Sequence, residues 1–216
     1  MSIITIASSK GGAGKTTISR LLLGHAARQG LRAAALDADL NHSLKDWIGQ
    51  HRAPFEVREE IDETKIVSAI GELDEQNDLV VVDTAGAATQ ATVFAIGCAD
   101  LVLVPLKLSA ADVTEAVRTI TLVKSASNMM KREILARVVL TGFKPRTAVA
   151  AHVELEIGNA KMLDIKTRLH DLVAFEEMTF NGIVPVIGPA GFQAAAMFAE
   201  AMALAEPNWQ PQKLAS

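Results

Sequence analysis

One stretch, Ser8-Ser9-Lys10-Gly11-Gly12-Ala13-Gly14-Lys15-Thr16-Thr17, restricts what this chain can fold into more than any other. A short apolar run, Ile3-Ile4-Thr5-Ile6-Ala7, precedes it, and an amphipathic stretch from Ile18 to Gly30 follows. Strand, glycine loop and helix in that order are the context a phosphate-binding loop requires. Glycines at 11, 12 and 14 let successive backbone N–H groups converge on a phosphate chain, and the following helix adds the positive end of its dipole. Lys15 is placed to reach the β- and γ-phosphates, and the Thr16 hydroxyl to ligate Mg²⁺. The pattern implies a loop, Gly11, Gly12, Ala13, Gly14, Lys15, Thr16 and Thr17, built around a nucleoside triphosphate.

Such a loop belongs at the carboxyl edge of a parallel sheet, and the rest of the chain supplies one. Strand-like runs recur at 2–8, Leu31–Leu36, Leu79–Val82, Leu101–Val104 and Ile134–Leu140, with a further one expected at Ile183–Ile187. Helical stretches are expected at Thr16–Gln29, around the acidic segment 59–76, at Val113–Met130, at 148–160 and in the alanine-rich 190–206 ahead of Pro207. Alternating strands and helices with near-continuous apolar strands point to an α/β, doubly wound, mainly parallel sheet with helices on both faces, a P-loop NTPase architecture. Ser109-Ala-Ala-Asp112 reads as a capping box opening a helix whose Val113, Val117, Ile120 and Val123 keep helical spacing.

At 216 residues, half of them hydrophobic, one domain over 1–206 is expected, with 207–216 as a flexible tail. The single cysteine, Cys98, excludes an internal disulfide framework and the multi-cysteine zinc and iron–sulfur patterns, and reads as inert core. No run approaches the length of a membrane span, and residues 3–7 are too short for a secretory signal, so a cytoplasmic protein is expected. The net charge of −4 is unevenly spread. Residues 51–78 hold three basic and nine acidic side chains, whereas 118–168 hold ten basic and four acidic. The basic half offers a face for DNA phosphates, with Lys144, Arg146, Lys161, Lys166 and Arg168 as the contacts to look for.

Two further strands end in acids. Ala33-Ala34-Ala35-Leu36 runs into Asp37-Ala38-Asp39, and Leu79-Val80-Val81-Val82 into Asp83-Thr84-Ala85-Gly86. An apolar strand terminating in aspartate is the Walker B arrangement, which holds Mg²⁺ through a water, and Asp83 fits it.

Lys-Gly-Gly-x-Gly-Lys-Thr-Thr resembles the deviant Walker A motif of the ParA/MinD family of ATPases, in which the first glycine, here Ser9, is dispensable. The resemblance implies that Lys10 crosses a dimer interface to touch the partner's ATP. Asp37-x-Asp39 is similar to the family's A′ motif, which implies that Asp39 orients the attacking water and that Asp37 supports the Mg²⁺ shell. Leu40-Asn41 here replace the usual Pro-Gln. Pro105 to Asp112 looks like the family's proline loop near the dimer interface, and 165–184 resembles a feature of small ParA proteins, a basic stretch before Ala-Phe, a helix and then Gly-x-x-Pro or Gly-x-x-Val.

The likeness runs from Met1 to about Glu206 and is greatest to short plasmid-type, ParF-like proteins and to ATPases that assist T-DNA transfer. It implies an ATP-bound homodimer that binds double-stranded DNA without sequence preference and sits on the nucleoid. Slow hydrolysis would be stimulated by a small centromere-binding or cargo adaptor protein. With the chain starting at its first strand, no N-terminal operator-binding domain is expected. Two readings of the same design, positioning of a protein cargo and T-DNA transfer, differ only in partner. A different class, a metabolic ligase of the dethiobiotin-synthetase type, shares the loop, but no substrate constellation for it is evident. A MinD-like membrane cycle would need a basic amphipathic terminus, and Pro207 to Ser216 holds two prolines and one lysine, so no membrane partner is expected.

Overall fold

The computed structural model describes residues 1–211. Its elements run β1 (Ser2–Ile6), α1 (Lys15–Arg28), β2 (Ala33–Ala38), α2 (Ser43–His51), β3 (Glu56–Glu59), α3 (Ile66–Asp74), β4 (Leu79–Thr84), α4 (Gln90–Cys98), β5 (Leu101–Leu106), α5 (Ala110–Met130), β6 (Leu135–Leu140), α6 (Ala148–Asn159), α7 (Val173–Asn181) and α8 (Gly188–Ala205). The strands form one parallel sheet in the order β3-β2-β4-β1-β5-β6.

The apolar strands read as continuous runs because both faces are covered. Alternate residues divide between two cores. Ile4, Ile6, Ala35, Val81, Leu103 and Val139 pack under α1, α2, α7 and α8. Val102, Val104, Val138 and Leu140 pack under α5 and α6, and Leu36, Val80 and Val82 under α3 and α4. Register then aligns the chemistry: Ile6 pairs with Asp83 and Asp83 with Asp37, so the glycine loop and both strand-end acids emerge at one level of the sheet.

Half of the capping box expected at α5 forms: the Ser109 hydroxyl accepts from Asp112 N at 3.1 Å, whereas the Asp112 carboxylate accepts from that hydroxyl and Ser109 N donates to Lys107 O. The buried stripe of α5 runs through Val113, Ala116, Thr119 and Val123, leaving Val117 more exposed than its spacing suggested.

The expected strand at Ile183–Ile187 is absent. Pro185 has no N–H to give a ladder, and residues 162–171 already run beside β6, through bridges Val138–Asp164 and Phe143–His170. Residues 183–187 instead cross α1, where Gly24 leaves room for Val184 and the His25 imidazole donates from Nε2 to Pro185 O at 3.1 Å. Burial holds His25 below its usual pKa, which keeps the ring neutral for that bond. The acidic segment expected as one helix divides into β3 and α3. Part of the tail expected to be loose packs instead: Trp209 sets its ring edge-on against Phe198, centroids 5.7 Å apart. Residues 212–216 of that tail lie outside the described residues.

Candidate functional site

The glycine loop owes its shape to positive φ values at Gly12 (74°) and Gly14 (106°), a region other residues enter at a cost. Neighbouring elements pin it. Thr141 Oγ1, at the end of β6, donates to Ala13 O at 2.9 Å. Ser9 earns its place where the common motif has glycine: its N–H and hydroxyl both meet Thr119 Oγ1 of α5, at 3.2 and 2.9 Å. Across the cleft Gly86 comes so close that a Cβ there would stand 2.8 Å from Gly11 N.

Lys15 and Asp83 form the electrostatic centre. Lys15 is buried, with Nζ 3.4 Å from Lys10 O, and desolvation lowers its pKa against the pull of Asp83 and Asp39. Asp83 is buried, and neither carboxylate oxygen has a hydrogen-bond partner. Desolvation pushes its pKa up to about 7; the Thr16 and Ser19 hydroxyls pull the other way, although neither closes a hydrogen bond on it. An orphaned carboxylate beneath Thr16 is the observation that fits a hydrated Mg²⁺, because the ion would supply the charge and donors the protein withholds. Among the described residues no three His, Cys, Asp or Glu side chains cluster as a metal site, so the remaining ligands would come from Thr16, water and phosphate.

The Asp37 carboxylate is engaged by backbone donors. Its Oδ1 accepts from Asp39 N (3.1 Å) and its Oδ2 from Leu44 N (3.0 Å) and Lys45 N (2.9 Å). It thereby caps α2, whose own N-cap residue, His42, makes no side-chain cap bond. With both oxygens engaged, Asp37 organises the loop that presents Asp39. Asp39 lines the cleft, and its Oδ1 accepts from both the N–H and the side-chain amide of Asn41 at 3.0 Å. Lys10 points to Asp112 Oδ1, 2.8 Å away at the start of α5.

The cleft holds about 820 Å³. Gly11, Gly12, Gly14, Lys15, Thr16, Thr17 and Asp39 line it as the sequence suggested, and Ala13 is buried in the loop behind them. Its far wall is Leu169 to Leu172, then Phe175, Glu176 and Thr179 on α7, all within the segment 165–184, and Lys107 and, from α1, Arg20 also line the cleft. α7 is tied to α2 by Trp47 Nε1 donating to Met178 O at 2.8 Å, and its Phe175 and Met178 join the core shared with α1 and α8.

The basic residues do not form one cluster. Lys144 and Arg146 follow β6 at its carboxyl end, Lys161 follows α6 near the opposite end, and Lys166 and Arg168 lie between on the segment bordering β6. Arg168 is neutralised by Asp164 (2.7 Å) and Glu154 (3.3 Å), and Lys144 by Asp171 (3.1 Å). No helix among the described residues is long and apolar enough to cross a membrane.

Comparison with known proteins agrees with this fold. The VirC1 protein family matches residues 1–203. The protein ParA of Rhizobium radiobacter is 34% identical over 154 residues, covering 70% of this chain and 68% of that protein. The maintenance of carboxysome distribution protein A of Halothiobacillus neapolitanus is 28% identical over 198 residues, covering 89% of this chain and 90% of its own length. Among solved structures, the ATP complex of a Cyanothece McdA variant superposes with a TM-score of 0.79 at 18% identity, covering 94% of this chain and 96% of that one.

Proposed function

The chain belongs to the VirC1 family, among ParA/MinD-type partition and positioning ATPases, and from that footing we propose that it is an ATP hydrolase that dimerises around ATP and rides DNA in that state. The observation that carries this reading is the pairing of a buried lysine with an orphaned buried carboxylate across the mouth of a glycine loop. Neither charge has a finished environment in the protein alone. A triphosphate answers Lys15, and Mg²⁺ answers Asp83.

In this reading the loop amides and Lys15 take up charge on the phosphates, and Thr16 and Asp83 hold Mg²⁺, which when bound neutralises charge developing on the transferring group. Asp39 orients the attacking water. Asn41 holds Asp39 where proteins of this kind usually carry Pro-Gln. Lys10 completes the site of a second protomer once it leaves Asp112. Slow turnover then acts as a timer that an adaptor protein shortens. The basic strip beside β6 meets DNA through phosphates, since only Phe143 interleaves with it and base stacking has little to work with.

The relative named for carboxysome distribution favours a protein cargo as the task, and assistance of T-DNA transfer would use the same cycle. A gel shift on random-sequence duplex DNA, with ATP–Mg²⁺, a non-hydrolysable analogue, ADP or no nucleotide, tests the proposal. Binding confined to the triphosphate states and weakened by salt is the expected result. Equal binding in every state, or none, would overturn the DNA-riding part.

A further inference from the structure

We propose that Arg20 is a positioning residue that couples nucleotide binding to α2 and α7 through the indole of Trp47. The proposal rests on the ATP reading above and concerns a residue outside the motifs.

Arg20 follows Thr16 by four positions and so occupies the same face of α1, one turn below the loop. It is only 9% exposed, although it lines the cleft. Its guanidinium has two partners: Nη2 donates to Ser43 O at 3.1 Å, and the group lies over the Trp47 ring, 5.1 Å from the centroid. Nε is buried with no hydrogen-bond partner. A side chain kept only to fill space would be apolar here, because an apolar residue avoids the desolvation of a guanidinium and the orphaned donor. A buried cation retained at that cost is informative.

Both partners belong to α2. Ser43 is its first residue, and the three residues before it complete the turn that Asp39 begins. Trp47, one turn further, donates Nε1 to Met178 O of α7, and α7 presents Phe175, Glu176 and Thr179 to the cleft. One guanidinium and one indole therefore join three elements: the helix that carries Lys15 and Thr16, the helix behind Asp39, and the far wall. A phosphate chain at the N-terminus of α1 brings negative charge within one helical turn of Arg20. Movement of the guanidinium shifts the Ser43 carbonyl and the Trp47 ring with it, and so resets the Asp39 turn and α7 together. Arg20 needs no contact with the nucleotide for this.

Trp47 and Trp209 are the only tryptophans, so Trp209→Phe leaves Trp47 as sole reporter. In that background, Trp47 emission is followed as ATP–Mg²⁺ is added, with affinity measured separately by calorimetry and turnover by phosphate release. The parent should respond to ATP. Arg20→Met, which keeps the bulk and removes the donors, should bind ATP within about three-fold of the parent, lose the Trp47 response, and hydrolyse saturating ATP about ten-fold more slowly. Arg20→Lys, with charge but no planar fork over the ring, should fall between. Either variant keeping the full Trp47 response and turnover would overturn the proposal, as would a loss confined to affinity, which would make Arg20 a binding residue instead. A parent that fails to bind ATP in calorimetry would overturn both this and the function proposed above. That outcome is recognised in the parent, before any Arg20 variant is compared.

Discussion

The Lys10 ammonium lies 2.8 Å from Asp112 Oδ1, at the first turn of the helix that follows the proline loop. Asp112 is buried and also bonded to the Ser109 hydroxyl, whereas the Lys10 side chain is 43% exposed. The lysine is thus parked on its own protomer by a contact that solvent screens on one side. Because Asp112 keeps Ser109, Lys10→Ala should cost only about 0.5–1 kcal/mol of stability. It should leave monomer affinity for ATP within about two- to three-fold and abolish ATP-dependent dimerisation. Light scattering with a non-hydrolysable analogue checks this. A Lys10→Ala protein that still dimerises would remove the lysine from the interface.

Asp83 gives a pH prediction. Its pKa rises from an ordinary 3.8 to about 7 through burial. Between those values the folded protein holds a proton that the unfolded chain releases. The Asp83 contribution to nucleotide-free stability is therefore full below pH 4, falls as pH rises to about 7, and is level beyond. Asp83→Asn should remove this share of the slope and raise stability at pH 8 by about 1–3 kcal/mol, while removing the Mg²⁺ dependence of ATP binding. Thermal melts from pH 4 to 8 read the first effect and calorimetry with and without Mg²⁺ the second. A variant melting below wild type at pH 8 would contradict the orphaned-carboxylate account.

Much of this site was legible because sequence and sheet register agree. The loop, Asp39 and Asp83 each sit where an apolar run ends, and parallel pairing of β1, β4 and β2 brings those ends to one level. What stayed hidden depends on contacts far apart in the chain. Nothing near Arg20 in sequence indicates that Trp47 will cover it, and the bond from Trp47 Nε1 to Met178 O joins α2 to α7 across 131 residues. The bonds from Leu44 N and Lys45 N to Asp37 are hidden for the same reason, since its spacing from Asp39 says nothing of the start of α2. The strand expected at Ile183–Ile187 had the right composition, but residues 162–171 already border β6.

Gly86 and Gly71 should respond to alanine with opposite signs. A Cβ on Gly86 would sit 2.8 Å from Gly11 N and 2.9 Å from Gly11 Cα, whereas nothing lies within 4 Å of one on Gly71, inside α3. Gly86→Ala must displace the glycine loop, so ATP affinity should fall about ten-fold or more with about 1–3 kcal/mol of strain. Gly71→Ala should stabilise by about 0.5–1 kcal/mol, with ATP binding unchanged. Paired melts and titrations separate the two.

The basic strip divides by whether each cation already has a partner. Arg146 and Lys166 are exposed, with no carboxylate in ion-pair range among the described residues, while Arg168 is held between Asp164 and Glu154. A phosphate can be gained only by a cation free to leave its own protein. If the strip meets DNA, Arg146→Ala and Lys166→Ala should each weaken binding across all sequences and lower the slope of log affinity against log salt by about 1. Arg168→Ala should leave that slope unchanged and instead cost about 0.5–1 kcal/mol of stability, because two carboxylates lose their shared partner. Salt titrations of DNA binding with the three variants, run beside their melts, decide the matter. A slope that falls for Arg168→Ala but not for Arg146→Ala would move the interface off the carboxyl end of β6 and onto the segment bordering it.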